Sequence, residues 1–105
     1  MTDAILVLTM LPNADAAVEI AKTVVKEKLA ACVNILPAAR SIYRWKGQIE
    51  DASEVFLIIK TRHEHYDRIQ ARLLELHPYE VPEVLAIPVE QGYYPYLEWL
   101  ARETS

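Results

Sequence analysis

Few side chains in this 105-residue sequence can do chemistry, and they lie far apart. There is one cysteine, Cys32, and three histidines, His63, His65 and His77. Cys32 sits in an apolar stretch, residues 31–36, where a thiol packs as a small hydrophobe unless a partner makes it a ligand or a nucleophile. His63 and His65 lack the i, i+4 spacing that sets two imidazoles on one helix face, and no third soft donor stands beside them. His77 closes an expected helix and is followed by Pro78, Tyr79 and Glu80. A protonated ring there suits the helix dipole. The other reading of His77 is a metal or ligand contact with donors brought from elsewhere, another subunit included. Lys60 and Glu83 each end an expected strand. An ion pair between strands is the plain expectation for them, and acid–base work is the sharper one. Glu50, Asp51 and Glu54 flank an expected hairpin and read as a solvated rim.

Several functional classes are disfavoured at once. There is no Gly-x-Ser-x-Gly elbow, and two glycines in total leave no loop to cradle phosphate. The net charge is −4 with no dense basic block, so no nucleic-acid partner is expected. A single cysteine allows no internal disulfide, and a reducing compartment is the simplest setting. The apolar run at residues 4–10 is short and follows Asp3, unlike a secretory leader, and no run approaches the ~20 residues of a membrane helix. A cytoplasmic chain with no membrane partner is the expectation.

The elements that must position these groups follow from pattern and punctuation. Residues 4–10 form a short apolar strand, buried on both faces. Asn13 or Asp15 caps a helix over residues 16–29, with Ala17, Ala21, Val24, Val25 and Leu29 on one face. A second strand covers residues 31–36, Pro37 imposes a bulge or kink, and strand character resumes at residues 41–46. Lys46, Gly47 and Gln48 make the hairpin turn. The return strand spans residues 49–61, with room for a bulge at residues 51–54 and a fully apolar, central second half. Residues 64–76 form a helix with Tyr66, Ile69, Leu73 and Leu76 inward, ended by His77-Pro78. After a loop over residues 77–82, residues 83–89 form a strand with Pro88 at an edge or bulge. A last helix starts near Pro95 and is anchored by Tyr96, Leu97, Trp99 and Leu100.

This order predicts one α+β domain over residues 1–105: a ferredoxin-like βαββαβ sandwich with a long central hairpin and an extra C-terminal helix. Both main helices then cover one sheet face, and the other face needs a cover. Tyr43 and Trp45 beside Arg44 and Lys46, together with Tyr93, Tyr94, Tyr96 and Trp99, have the make-up of an interface core. A homo-oligomer is expected.

Five stretches in order carry a resemblance. They are residues 27–37 (EKLAACVNILP), 41–47 (SIYRWKG), 57–61 (LIIKT), 77–87 (HPYEVPEVLAI), and Gly92 followed by YLEWL at residues 96–100. Together they span nearly the whole chain and resemble the CutA family, the divalent-cation tolerance proteins. The resemblance implies a tight homotrimer, similar in architecture to the PII signalling proteins, with hairpins extending into neighbouring sheets. It implies Tyr43, Trp45, Tyr96 and Trp99 at trimer interfaces, and Trp45, Lys60, Tyr79 and Glu83 around a ligand cleft between subunits. His77 and Cys32 become the metal candidates, for Cu(II) or another divalent cation bound weakly and not required for folding. Members assigned copper sites carry a Cys at the end of the first strand and a His-His pair before Pro-Tyr. Here those positions hold Thr9 and Leu76-His77. The function implied is a non-enzymatic trimer binding metal ions or a small ligand in its clefts. The alternative is a PII-like sensor or adaptor for a small anionic metabolite or a protein partner, although two glycines leave little for a nucleotide loop. A third reading is an enzyme using Lys60, Glu83 or His77 as acid or base.

Overall fold

The computed structural model describes residues 2–105. In chain order the elements are β1 (Ala4–Leu11), α1 (Ala14–Lys26), β2 (Cys32–Trp45), β3 (Gln48–Arg62), a 3-10 turn (His63–His65), α2 (Tyr66–Leu76), β4 (Leu85–Pro88) and α3 (Tyr94–Glu103). The four strands form one antiparallel sheet in the order β2-β3-β1-β4. This is the ferredoxin-like arrangement with an added C-terminal helix.

Asn13 caps α1, its side chain accepting the Ala16 amide. The helix stops at Lys26, short of the expected residue 29. Lys28 takes a positive φ of 61°, and the amides of Leu29 and Ala30 turn back to the Val24 carbonyl. That left-handed closure satisfies carbonyls that would otherwise lack partners at the helix end. Leu29 still enters the core, but from the loop; Val25, expected inward, is exposed and Ile20 takes the inward place. The helix expected at residues 64–76 is split into the 3-10 turn and α2. It ends at His77, extended at ψ 133°, because Pro78 disfavours helical backbone in the residue before it.

Odd-numbered residues of β1 and β3 face the helices. Val7, Leu11, Leu57 and Ile59 meet Ile20 and Val24 of α1 and Ile69 and Leu73 of α2 in the main core. Each fully buried aliphatic chain there is worth about 1.5–3 kcal/mol of burial. The opposite face is covered only at one end, where Leu100 of α3 packs on Ala4 and Ala31, flanked by Leu97, Trp99 and Val89. Elsewhere on that face Leu36, Leu85 and Ile87 are exposed beside half-buried Leu6, Leu8, Phe56 and Ile58. β4 is shorter than the expected residues 83–89 and lies at the sheet edge, where Pro88 costs no interior ladder bond.

The hairpin shapes the molecule. β1 ends at Leu11 opposite Val55, so residues 39–45 and 48–54 run on without a third strand. At about 3.3 Å per residue they project roughly 23 Å. The radius of gyration is 14.2 Å and the longest extent 44 Å, whereas a compact chain of this length has a radius near 12.9 Å. Lys46 and Gly47 both take positive φ, as the two-residue turn between paired Trp45 and Gln48 requires. The bulge expected at Pro37 is present: the register shifts between Leu36 and Ala39, and Ala38 has φ 66°. The ladder runs unbroken through residues 51–54, so the other anticipated bulge does not form. Pro37 has no N–H to give the ladder, which locates the defect on β2. One extra residue on β2 also changes which residues share a face. Before it Cys32, Asn34 and Leu36 lie on the side away from α1 and α2; after it Ala39, Ser41, Tyr43 and Trp45 do. None of the helices among the described residues is long and apolar enough to cross a membrane.

Candidate functional site

A cleft of about 710 Å³ opens where the hairpin leaves the sheet. Its walls are Tyr43 and Trp45 from β2, Met10 from the end of β1, Glu54 from β3, and the segment from Tyr79 to Glu83 that follows α2. The hairpin supplies a stiff wall because its two strands pair throughout. The opposite wall has no helix or strand of its own and is held by side chains.

The holding contacts form a chain. The Tyr79 N–H donates to His77 Nδ1 at 3.2 Å, which leaves the ring proton on Nε2. Nε2 then faces Thr9 Oγ1 at 3.1 Å, on the buried side of β1. The Tyr79 ring leans on the His77 ring with centroids 4.9 Å apart. Its hydroxyl donates to Glu54 Oε2 at 2.6 Å. Burial pushes the His77 pKa below its ordinary 6.5, outweighing the Met10 carbonyl and the Glu54 carboxylate, which favour protonation. Burial, then the Glu54 carboxylate, pushes the Tyr79 hydroxyl well above 10.0. The expected protonated helix-end histidine is therefore corrected: His77 is 8% exposed, both its nitrogens are engaged, and a neutral ring fits the site.

Trp45, Tyr79 and Glu83, with Tyr43, line this recess of a single chain, whereas the cleft expected for them lay between subunits. Lys60 does not join them within one chain. It pairs with Cys32 and Leu6, six residues along β3 from Glu54 and so roughly 20 Å away, and its Nζ stands 5.9 Å from the Tyr96 ring centroid. The ion pair expected between Lys60 and Glu83 is not formed for that reason. Tyr96 and Trp99 lie near Lys60, their rings 5.4 Å apart, at the end of the sheet that α3 covers. Cys32 and His77 are likewise separate. Cys32 shares the Lys60 face of the sheet, while His77 touches Thr9 on the helix face, so a single chain does not bring thiol and imidazole to a common ion. His65 serves another purpose: it is buried, and its Nε2 lies 2.6 Å from the Thr104 carbonyl, tying the start of α2 to the end of α3.

Sequence reasoning missed Glu54. It read as part of an acidic rim, yet it is 7% exposed, because Tyr79 folds over it from 25 residues away. The aromatic Tyr79 inside a Pro-bracketed loop was the one signal that something would be covered.

The fold and the cleft define a ferredoxin-like α+β domain whose overlong hairpin carries an aromatic, acidic recess. Residues 5–103 match the family model described as CutA1 divalent ion tolerance protein, and the chain belongs to that family. It is 50% identical over 94 residues to Protein CutA of Homo sapiens, covering 90% of this chain and 52% of the human protein. It is 43% identical over 99 residues to the divalent-cation tolerance protein CutA of Thermus thermophilus, covering 94% and 96% of the two chains. The crystal structure of CutA from Xylella fastidiosa matches with a TM-score of 0.96 at 41% identity, over 99% and 100% of the two chains. The chain spans about half the length of its human and mouse relatives.

Proposed function

We propose that this protein acts as a divalent-cation tolerance protein of CutA type, a non-enzymatic homotrimer of the cytoplasm that holds a cationic ligand, metal ion or small molecule, in clefts between its subunits. The observation that carries the reading is the recess itself: Tyr43, Trp45 and Tyr79 with Glu54, Glu80 and Glu83 around a space of about 710 Å³. That size and mixture of apolar wall and few polar groups suit a ligand site. The hairpin supports the trimer. Ile42 and Ile49 at its tip are 68% and 63% exposed, and Leu85 and Ile87 stand exposed on the half-covered sheet face. Exposed aliphatic and aromatic surface of this extent, on two unpaired sheet edges, calls for a partner. In such an assembly Tyr96 and Trp99 contribute from α3, and Lys60 reaches a neighbour's cleft rather than its own.

A metal ion bound here, Cu(II) or another divalent cation, would be held weakly by the cleft carboxylates and is not needed for folding. The acidic lining weighs against the PII-like alternative of an anionic metabolite. No nucleophile–base pair supports an enzymatic reading, since His77 is committed on both nitrogens and Lys60 stands apart from Glu83.

The test has two arms. Light scattering should return three times the chain mass, and Trp45→Ala should dissociate or destabilise the assembly by about 2 kcal/mol or more if the indole is an interface anchor. Calorimetric titration of the trimer with Cu(II) and Zn(II), repeated with Glu54→Gln, should show a weakened isotherm in the variant. A stable monomer at micromolar concentration would overturn the reading.

A further inference from the structure

We infer that a second copy of this chain completes the cleft with a charge: the Lys60 ammonium of one copy pairs with the Glu54 carboxylate of the next. The inference rests on the proposed assembly and names the contact that sets how neighbouring copies face each other.

Both groups lie on one face of one strand. Leu57 and Ile59 of β3 point into the core under the helices, so Glu54 and Lys60, at even positions, point the other way. Six residues separate them, roughly 20 Å along the strand. Between them that face is apolar. Phe56 and Ile58 of β3 are half-buried, as are Leu6 and Leu8 of β1, and Leu36 of β2 is exposed.

Neither charge is neutralised within the chain. Among the described residues no ion pair includes Glu54 or Lys60. Glu54 is 7% exposed; its Oε2 takes the Tyr79 hydroxyl, a neutral donor, while its Oε1 takes no bond within the chain and is not sealed from solvent. Lys60 is half-buried, with its Nζ 5.9 Å from the Tyr96 ring centroid. Sheltered charges are costly alone, and opposite charges offset that cost where they meet. The two cannot meet within one chain, because continuous paired strand holds them apart.

A copy of the chain is the occupant this face selects. A foreign partner would need an apolar surface with a cation and an anion at matching positions, whereas every copy carries all three. In the proposed trimer each chain gives Lys60 to one neighbour and receives another's at Glu54, a head-to-tail contact that closes into a ring. The apolar strip supplies the contact area and the ion pair supplies its register. Glu80 and Glu83 remain beside the aromatic rings for a ligand.

The test is a double-variant cycle on the intact protein, read by thermal unfolding at one protein concentration and by light scattering. Residues this far apart in one chain give additive effects, so coupling between them reports a contact across copies. Lys60→Met should lower the thermal midpoint by several degrees in the parent, but by no more than about 1 °C in the Glu54→Gln background. Lys60→Glu should weaken the assembly at least about tenfold, and adding Glu54→Lys to that chain should recover much of the loss. Equal shifts in the two backgrounds overturn the inference. So does a Lys60→Glu assembly as tight as the parent's, or an exchanged chain that assembles no better than Lys60→Glu. A parent that scatters as a monomer sinks the trimer reading as well. A trimeric parent with additive effects leaves the trimer standing and removes only this pair.

Discussion

Replacing Tyr79 by phenylalanine removes one oxygen and tests how the cleft wall is held. The ring can keep its place on His77, 4.9 Å between centroids, so the change is confined to the hydroxyl and its 2.6 Å bond to Glu54. A hydrogen bond to a charged acceptor contributes about 1.5–3 kcal/mol, and here its loss leaves a 7% exposed carboxylate without that donor. A cost of about 2 kcal/mol per chain is expected. The alkaline behaviour supplies a second readout. The Tyr79 hydroxyl is raised above 10.0, by burial first and then by Glu54, so the folded state holds a proton that the unfolded state releases. Stability from this group is therefore complete below about pH 10 and declines as pH rises beyond it. Denaturant unfolding at pH 8 and pH 10.5, at one protein concentration because assembly would couple to folding, measures both. Tyr79→Phe should be less stable at pH 8 and should lose less on going to pH 10.5 than the parent. The double variant with Glu54→Gln should show that the two changes are not additive. A loss under about 0.5 kcal/mol together with an unchanged alkaline slope would refute the account of the wall.

Three further outcomes are expected. Ala38 adopts φ 66°, a conformation costing an L-residue roughly 1–2 kcal/mol, so Ala38→Gly should raise the thermal midpoint by a few degrees in calorimetry, and Ala38→Val should lower it. Because burial depresses His77, its contribution to stability is present above about pH 6.5 and is lost as pH falls below it; melting curves from pH 5 to 7.5 should be steeper in pH for the parent than for His77→Gln. Thr104 receives Arg62 Nε at 2.8 Å while 1% exposed, so Thr104→Val should cost about 1–3 kcal/mol and speed hydrogen exchange at the end of α3.

The elements of this chain divide along a physical line. Local signals held where one short segment decides the result. Asn13 caps α1, Pro78 ends α2, Lys46-Gly47 turns the hairpin, and Pro37 breaks the β2 ladder. Unbroken apolar runs marked β1 and the second half of β3 as core strands, but such runs carry no period, so only the structure showed that Val7, Leu57 and Ile59 face the helices while their neighbours are half-buried. Lys28 was not legible as a stop, since nothing in a lysine announces a left-handed residue.

The chemistry divides in the same way. The ordered motifs were enough to place the chain in its family. Which face Tyr43 and Trp45 occupy was decided only when the ladder closed, because the extra residue at the bulge reverses the count by two along β2. That Cys32 and His77 lie on opposite faces also needed the strand order, as did the distance of Lys60 from the cleft. Burial of Glu54 is the clearest case. A glutamate in a polar stretch is a rim residue by every local rule, and only the return of Tyr79 across the hairpin turns it into a sheltered charge. Sequence alone determined the elements and the family, since these follow from local propensity and residue type. The cleft belongs to the tertiary structure, since enclosure depends on segments distant in the chain coming to lie against one another.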